Sequence, residues 1–171
     1  MFYAGGDFAW KAIEYTTGDG YIQTVFRVTG DPGGNDLNVA DQGPVIFRHG
    51  FSQDSNAWFA VVDPTKPPTP ISMYLRGYDV YLAQSRGSDG SRSHETLDPA
   101  NEDFWAWTSE DLAKYEVPAL LEAVQAERAS LSKPCLKANL VNSSAASPVA
   151  FIALDPNFSS AAVENFVGRN T

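Results

Sequence analysis

Two short segments of the sequence carry residues suited to stabilising or attacking a reacting carbonyl group. The first is Phe47-Arg48-His49-Gly50-Phe51, in which a His-Gly pair ends the apolar run Val45 to Arg48. A glycine at the end of a strand lets the backbone turn sharply and direct amide N–H groups at a developing oxyanion. The same pair is equally compatible with an ordinary turn after a strand. The segment therefore predicts an oxyanion-type turn at His49-Gly50, with the plain turn as the alternative.

The second segment runs from Lys137 to Ala146 and places Ser144 between an apolar run and small residues. A strand that enters a helix through a serine-containing turn has the geometry of a nucleophile elbow. The usual pattern is G-x-S-x-G, because strand and helix nearly touch there. Asn142 and Ala146 stand at the two glycine positions. The pattern alone does not predict an elbow, and a helix N-cap is the other role for Ser144.

A general base for Ser144 is missing from the sequence that follows it. Where a serine lies in such an elbow, an Asp or Glu and then a His follow it along the chain. After Ser144 the chain has Asp155 and Glu164 but no histidine, since His49 and His94 both precede it. A serine hydroxyl without a base is a poor nucleophile at neutral pH. The sequence therefore predicts an incomplete catalytic site.

Composition argues against several other functions. The net charge of −9 argues against nucleic-acid binding, which needs a basic face. Two distant histidines and one cysteine give no metal-ligand spacing, so neither a metal nor another cofactor is predicted. Cys135 has no nearby histidine in the sequence to activate it and is not predicted as a nucleophile. His94 is predicted to be a solvated or hydrogen-bonded loop residue, and Phe104-Trp105-Ala106-Trp107 to pack in a core or an interface.

Strand and helix patterns alternate along the chain, which is typical of an α/β fold with a largely parallel sheet. Short apolar runs indicate strands covered on both faces, and helical spacing of apolar residues indicates helices. The predicted strands span residues 22–28, 45–48, 79–83, 138–141 and 163–167, and the predicted helices span residues 109–127 and 144–154. Thr108 and Asp111 can form a capping box at the first helix, and Pro118 is predicted to break or kink it.

The 171 residues are enough for one domain with its own core. The segment Met1 to Asp7 has neither a basic start nor an apolar run, so no signal peptide is visible. No stretch is long and apolar enough to predict a transmembrane segment.

Further residues, spread over most of the chain, carry a resemblance to a known family. They are Asp19-Gly20-Tyr21-Ile22, Phe26-Arg27-Val28, Val45 to Phe51, Asp54-Ser55, Trp58, Gly77 to Leu82, Ser85-Arg86-Gly87, Ser91 to His94, Leu97-Asp98-Pro99, Phe104 to Trp107 and Ala113 to Ala119. In order and spacing these stretches resemble the acid lipase family, the α/β-hydrolases that include lysosomal and gastric lipases. The resemblance extends from about residue 13 to about residue 168.

The resemblance implies the fold and the site residues. The chain is expected to be a single partial α/β-hydrolase domain, residues 1–171, ending after about the sixth strand. Ser144 takes the nucleophile position, and the backbone N–H groups of Phe51 and Ala145 are the implied oxyanion donors. The family usually has histidine before the serine and glutamine after it, where this chain has Ser143 and Ala145. The family's lid and its catalytic Asp and His would lie beyond Thr171.

The implied activity is hydrolysis of carboxylic esters of lipids, and we expect it to be impaired in this chain. The alternatives are a non-catalytic remnant that binds a lipid or a partner, and an incomplete product of a longer lipase gene. In the last case the chain would need a partner or the missing carboxy-terminal half to fold. Family members are often lysosomal or secreted, and the sequence leaves the localisation of this chain open.

Overall fold

A computed structural model describes residues 7–37, 41–60, 63–155 and 157 of the chain. They form a mixed β-sheet with helices on both faces. The strands are β1 (Ala9–Thr16), β2 (Tyr21–Gly30), β3 (Pro44–Arg48), β4 (Asp79–Ala83), β5 (Ser93–His94) and β6 (Asn139–Asn142). Their order in the sheet is β1-β2-β4-β3-β6, and β5 pairs with β2. The predicted strand at residues 163–167 lies outside the described residues.

The centre of the sheet is the parallel part that the sequence predicts. β3 pairs in parallel with β4 on one side and with β6 on the other. Every residue of β3 and β4 is buried, as expected for apolar runs covered on both faces. β6 pairs only with β3 among the described strands, and its residues are exposed or half-buried. The predicted strand at 138–141 is therefore present, shifted by one residue, as an edge of the described sheet.

The antiparallel part of the sheet comes from β1 and β2. The strand predicted at 22–28 lies within β2, which pairs antiparallel with both β1 and β4. β1 was not predicted, because most of its side chains are exposed and give little alternation of apolar and polar residues. Only Ile13 and Tyr15 of β1 are half-buried, and both pack against the core. The sheet is consequently mixed, with a hairpin joined to the parallel strands.

In the described part of the chain, α-helical segments and short 3-10 helices flank the sheet. They are α1 (Thr69–Tyr74), α2 (Ser109–Asp111), α3 (Val117–Ser130) and α4 (Ala146–Leu154), with 3-10 helices at Ser55–Phe59 and Glu102–Trp105. The predicted capping box is confirmed, because Thr108 and Asp111 each bond the other's backbone N–H. Among the described residues no helix has the length and apolarity needed to cross a membrane.

The irregularity predicted at Pro118 takes the form of a π-helical turn at Leu112–Glu116, between α2 and α3. Pro118 has no N–H group to donate to the carbonyl four residues earlier, and its ring crowds that carbonyl. A π-helical turn just before the proline is one way to accommodate this loss. The turn ends on Glu116, which is buried.

The core consists of two apolar clusters on opposite faces of the sheet. Side chains alternate along a strand, so Ile46 and Tyr81 belong to one cluster while Phe47 and Leu82 belong to the other. α3 and α4 supply the helical side chains of the first cluster, and Tyr74 of α1 joins the second. The parallel strands are therefore covered on both faces.

A buried ionic cluster lies where β4 begins. Asp79 Oδ1 accepts a hydrogen bond from Arg27 Nε at 2.8 Å, and Asp79 Oδ2 accepts one from Arg128 Nη1 at 2.8 Å. Arg128 also donates to both carboxylate oxygens of Asp41, each at 3.0 Å. Burial and the negative charge of Asp79 raise the pKa of Tyr81, whose hydroxyl donates to Asp79. This Asp79 cluster joins β2, β4 and α3.

Replacing Arg128 with methionine is expected to destabilise the fold strongly. Removing one partner of a buried ion pair leaves the other charge uncompensated and costs about 3–5 kcal/mol. The free energy of unfolding, measured by urea denaturation, should fall by that amount. The control is Lys66→Met, because Lys66 and Asp63 form an exposed pair 3.8 Å apart and such pairs contribute little. Equal stability of the Arg128 variant and the wild type would contradict this account.

Candidate active site

The structure brings the two chemically interesting segments of the sequence into direct contact. A Cβ atom added at Gly50 would lie 2.8 Å from Ser144 Cβ and 2.9 Å from Gln53 Oε1. The backbone N–H of Ser143 also donates to the Arg48 carbonyl at 3.0 Å, which extends the pairing with β3 one residue past the end of β6. The Gly50 backbone therefore packs closely against the Ser144 side chain, and a larger residue at position 50 would require the surrounding atoms to shift.

Ser144 lies in a tight turn from strand to helix. It follows β6, precedes α4, and has a φ of 50°, in the left-handed region that is unusual for a residue other than glycine. The N–H groups of Ala146 and Ser147 donate to the carbonyls of Ser143 and Ser144 at 3.1 and 3.0 Å. The N-cap of α4 is Ala145, and no side chain caps this helix. The alternative role of Ser144 as an N-cap is thus wrong, and the turn has the strand–turn–helix form of a nucleophile elbow.

Backbone amides next to this contact differ in whether they have an acceptor. The Gly50 N–H donates to Gln53 Oε1 at 3.0 Å. For the N–H groups of Phe51 and Ala145, no acceptor is present among residues 7–37, 41–60 and 63–155. These are the two amides that the acid lipase resemblance implies as donors. Backbone N–H groups of this kind bind an anionic oxygen where they converge on one point.

The His49 imidazole holds the turn in place and is not free to act as a base. His49 is buried, and its Nε2 accepts a hydrogen bond from the Ser85 N–H at 3.1 Å. Nδ1 therefore carries the proton and donates to the Gly50 carbonyl at 2.8 Å. Both ring nitrogens are occupied, and the ring joins the turn after β3 to the loop after β4.

His94 is hydrogen-bonded, as the sequence predicts, but it lies in β5 and not in a loop. Its Nδ1 accepts hydrogen bonds from the N–H groups of Thr96 and Leu97 at 3.0 and 3.1 Å, so Nε2 carries the proton and donates to the Asp19 carbonyl at 2.8 Å. Its ring stacks edge-on against Tyr21, with 4.7 Å between centroids. The chain has only two histidines, and the ring nitrogens of both are engaged in hydrogen bonds. No imidazole nitrogen of this chain is therefore free to accept the Ser144 proton.

Of the two acidic residues that follow Ser144, the structure describes only Asp155. Asp155 is exposed at the end of α4, where its Oδ1 accepts hydrogen bonds from the backbone N–H and the side-chain amide of Asn157 at 2.8 and 3.1 Å. Glu164 lies outside the described residues. In the described part of the chain no group of three or more His, Cys, Asp or Glu side chains could hold a metal ion.

A cleft of about 660 Å³ opens beside the two turns. Phe51 and Ala145 both line it. Its other walls combine apolar and cationic side chains, among them Trp105, Trp107, Leu112, Val149, Arg48, Arg86 and Arg92. Of the aromatic run predicted to pack in a core or an interface, Phe104 is buried, whereas Trp105 and Trp107 form a wall of this cleft.

A buried carboxylate beneath the cleft was not identified from the sequence. Glu116 Oε1 accepts a hydrogen bond from Arg48 Nη2 at 3.1 Å. Glu116 Oε2 accepts from Gln23 Nε2 at 2.6 Å and from the backbone N–H of Arg86 at 3.2 Å. The apolar run that ends in Arg48 could have indicated a buried acidic partner, because a buried arginine requires one. The sequence could not indicate which partner, because Glu116 is 68 positions away.

The charge of Glu116 is stabilised by these neighbours. Burial raises the pKa of the Glu116 carboxyl, but the guanidinium groups of Arg48 and Arg86 and the hydrogen bonds from Gln23 and the Arg86 N–H lower it by more. The net pKa is below the ordinary value for glutamate, so the group is ionised at neutral pH. We call Glu116 together with Arg48, Arg86 and Gln23 the Glu116 cluster.

Comparisons with known proteins identify the family of the matched region. The chain is 32% identical over 123 residues to Triacylglycerol lipase 2 of Arabidopsis thaliana, covering 68% of this chain and 28% of that protein. It is 36% identical over 113 residues to Lysosomal acid lipase/cholesteryl ester hydrolase of Rattus norvegicus, covering 63% of this chain and 27% of that protein. The matched region belongs to the acid lipase family. The resemblance seen in the sequence is thereby confirmed, and the chain spans less than a third of the length of these relatives.

The fold is shared with a solved esterase. The structure aligns with the Pyrococcus furiosus esterase Pf2001 with a TM-score of 0.55 at 17% identity, covering 89% of this chain and 49% of the esterase. The predicted partial α/β-hydrolase fold is confirmed. No family model matches the acid-lipase-like chain.

Replacing Gly50 with alanine is expected to force the two turns apart. The new Cβ would meet Ser144 Cβ and Gln53 Oε1 within 3.0 Å, and such overpacking costs about 1–3 kcal/mol. Gly18→Ala is the matched control, because the nearest atom to a Cβ at Gly18 is 3.5 Å away in the Tyr115 ring. Urea denaturation should show a loss for Gly50→Ala that exceeds the loss for Gly18→Ala. Equal losses would mean that the contact between the turns is loose.

Acid is expected to destabilise the chain in part through Glu116. Because its pKa is lowered in the folded state, its contribution to stability is present above the unfolded-state pKa of about 4.3 and is lost as the pH falls through the folded-state pKa. Glu116→Gln removes this contribution. Its free energy of unfolding should therefore depend less on pH than that of the wild type below about pH 4.3. Parallel curves for the two proteins would contradict the lowered pKa.

Proposed function

We propose that this chain provides the nucleophile and the oxyanion donors of an acid-lipase-type ester hydrolase. The observation that carries the proposal is the contact between the Gly50 turn and the Ser144 turn. Ser144 lies there in a left-handed turn, directly before Ala145, and the N–H groups of Ala145 and Phe51 have no acceptor within the described part of the chain. That combination matches what acyl transfer requires of a site.

In the proposed reaction the Ser144 hydroxyl oxygen attacks the carbonyl carbon of an ester. The carbonyl oxygen becomes an oxyanion that accepts hydrogen bonds from the N–H groups of Phe51 and Ala145. Collapse of this intermediate expels the alcohol and leaves an acyl group on Ser144. Water then attacks the acyl carbonyl through a second oxyanion, releases the carboxylic acid and restores the hydroxyl.

The proton of the Ser144 hydroxyl is the difficulty for this chain acting alone. Both histidines have their ring nitrogens engaged in hydrogen bonds. We propose that the base is hydroxide from the solvent or a group other than these two imidazoles. Loss of a triad member lowers the turnover rate by about 10⁴- to 10⁶-fold. We therefore propose that hydrolysis by the chain alone is slow and that oxyanion stabilisation accounts for what remains.

A lipid ester is the proposed substrate class. The cleft beside the two turns has apolar walls in Trp105, Trp107, Leu112 and Val149, which suit an acyl chain. The relatives named above are lipases, and one is a cholesteryl ester hydrolase. The place of this chain in lipid degradation is part of the same proposal.

A second candidate function is binding of a lipid or a partner without catalysis. The engaged histidines favour it, as does the presence of Asn142 and Ala146 where an elbow usually has glycine. In that case the cleft would bind a fluorescent fatty acid equally well in the wild type and in Ser144→Ala. No acyl or phosphonyl adduct would form on Ser144.

Labelling with a fluorophosphonate probe is expected to modify Ser144. The probe reacts with serine residues that have an oxyanion site, and intact-protein mass spectrometry measures the adduct. Labelling should be absent in Ser144→Ala and retained in Ser143→Ala, which removes the neighbouring hydroxyl. Because no imidazole acts as the base, the labelling rate should rise with pH without a plateau near pH 7, and added imidazole should increase it.

The outcome decides between the two candidate functions. Folded protein that takes up no label, or that is labelled equally in Ser144→Ala, would contradict the proposed hydrolase and favour the binding function. A plateau in the pH profile near the pKa of histidine, about 6.5, would show that an imidazole of the chain does serve as the base.

A further inference from the structure

The buried Glu116 carboxylate contacts the strands and loops that set the position of the proposed oxyanion turn. Through Arg48 it holds the last residue of β3, one position before His49. Through the backbone N–H of Arg86 it holds the loop after β4, one position beyond Ser85. The Ser85 N–H in turn donates to His49 Nε2. Both routes from Glu116 lead to the same turn.

The Arg48 route also reaches the nucleophile side of the site. The Arg48 carbonyl accepts the hydrogen bond from the Ser143 N–H, the residue before Ser144. Arg48 is fixed at two points: Glu116 holds its guanidinium group, and the Ser143 N–H holds its carbonyl. The Gly50 turn and the Ser144 turn are consequently fixed relative to each other by a residue that neither of them contains.

We propose that Glu116 is a positioning residue, whose carboxylate holds Arg48 and the loop at Arg86 so that the turns carrying the Phe51 and Ala145 amides stay in contact. This inference rests on the proposed function, because it assigns Glu116 a role in that same site. Glu116 does not contact the reacting atoms. It acts through Arg48 and through the Ser85–His49 hydrogen bond.

The Asp79 cluster offers a matched control at the other end of the same strands. Asp79 is also a buried carboxylate bonded to two arginines. It pairs with Pro44 at the start of β3, whereas Arg48 at the end of β3 pairs with Ala83. The two acids thus act at ends of β3 and β4 that are about 13 Å apart at 3.3 Å per residue. Substitution of either acid should lower the stability of the fold. Only substitution of Glu116 should also displace the Gly50 turn.

The experiment is NMR spectroscopy of the full 171-residue chain labelled with ¹⁵N. In the wild type the His49 ring should be a single tautomer with the proton on Nδ1. In Glu116→Gln the Ser85–His49 hydrogen bond should weaken, so that the two ring ¹⁵N signals approach each other as the tautomers mix. The amide signals of Phe51 and Ala145 should shift as well. Asp79→Asn should lower the melting temperature but leave these four signals at their wild-type positions.

Glu116→Asp provides a second variant in case Glu116→Gln does not fold. It keeps the negative charge but is one methylene group shorter, so it cannot reach both Arg48 and the Arg86 N–H. It should fold and still shift the His49 signals. Wild-type signals in the folded Glu116 variants would overturn the proposal, and so would equal shifts in Asp79→Asn. Failure of both Glu116 variants to fold while Asp79→Asn folds would also overturn it, because the carboxylate would then serve the whole fold.

These outcomes are separate from the test of the proposed hydrolase. If the wild-type chain takes up no fluorophosphonate, the hydrolase function fails, while the NMR signals still decide whether Glu116 positions the turn. If the wild type is labelled and the NMR signals do not respond to Glu116, the hydrolase function stands and the positioning role fails.

Discussion

The close approach of the Gly50 backbone to Ser144 is the contact on which the arrangement of the site depends. A nucleophile elbow is tight because strand and helix nearly touch, and glycines usually supply the room on either side of the serine. Here those positions hold Asn142 and Ala146, yet Ser144 keeps a positive φ. The absent side chain at Gly50 provides the room from the opposite turn. A degraded sequence pattern is therefore compatible with a turn of the expected form.

Two buried acids hold the strands that carry this contact. Asp79 and Glu116 lie at opposite ends of the parallel strands, and each binds two arginines. Removing a carboxylate from water is costly unless its oxygens are fully bonded, so each cluster tolerates few alternative arrangements. The clusters thus define where β3 and β4 begin and end relative to the helices. Apolar packing alone, which has no direction, would not define this as closely.

The sequence predicts those parts of the fold that depend on the pattern of neighbouring residues. The apolar runs of β3 and β4, the capping box at Thr108 and the irregularity before Pro118 each depend on a few neighbouring residues. β1 was not predicted, because its side chains are mostly exposed and show little alternation of apolar and polar residues. The Glu116 and Asp79 clusters were not predicted, because the partners of Glu116 and the arginines bound to Asp79 lie 30 to 93 positions away, and no local pattern encodes which charges meet. In the site, the position of Ser144 came from family resemblance, whereas its contact with Gly50 required the structure.

The two halves of the proposed site depend on the sequence in different ways. Oxyanion donors are backbone N–H groups, so they persist wherever the chain follows the same path, whatever side chains stand at Phe51 and Ala145. A general base requires one particular side chain with a free nitrogen or oxygen. Both imidazoles of this chain are instead used to fix loops, His49 at the Gly50 carbonyl and His94 at the Asp19 carbonyl. The donor half can therefore survive extensive substitution, while the base half must be supplied by solvent or by another polypeptide segment.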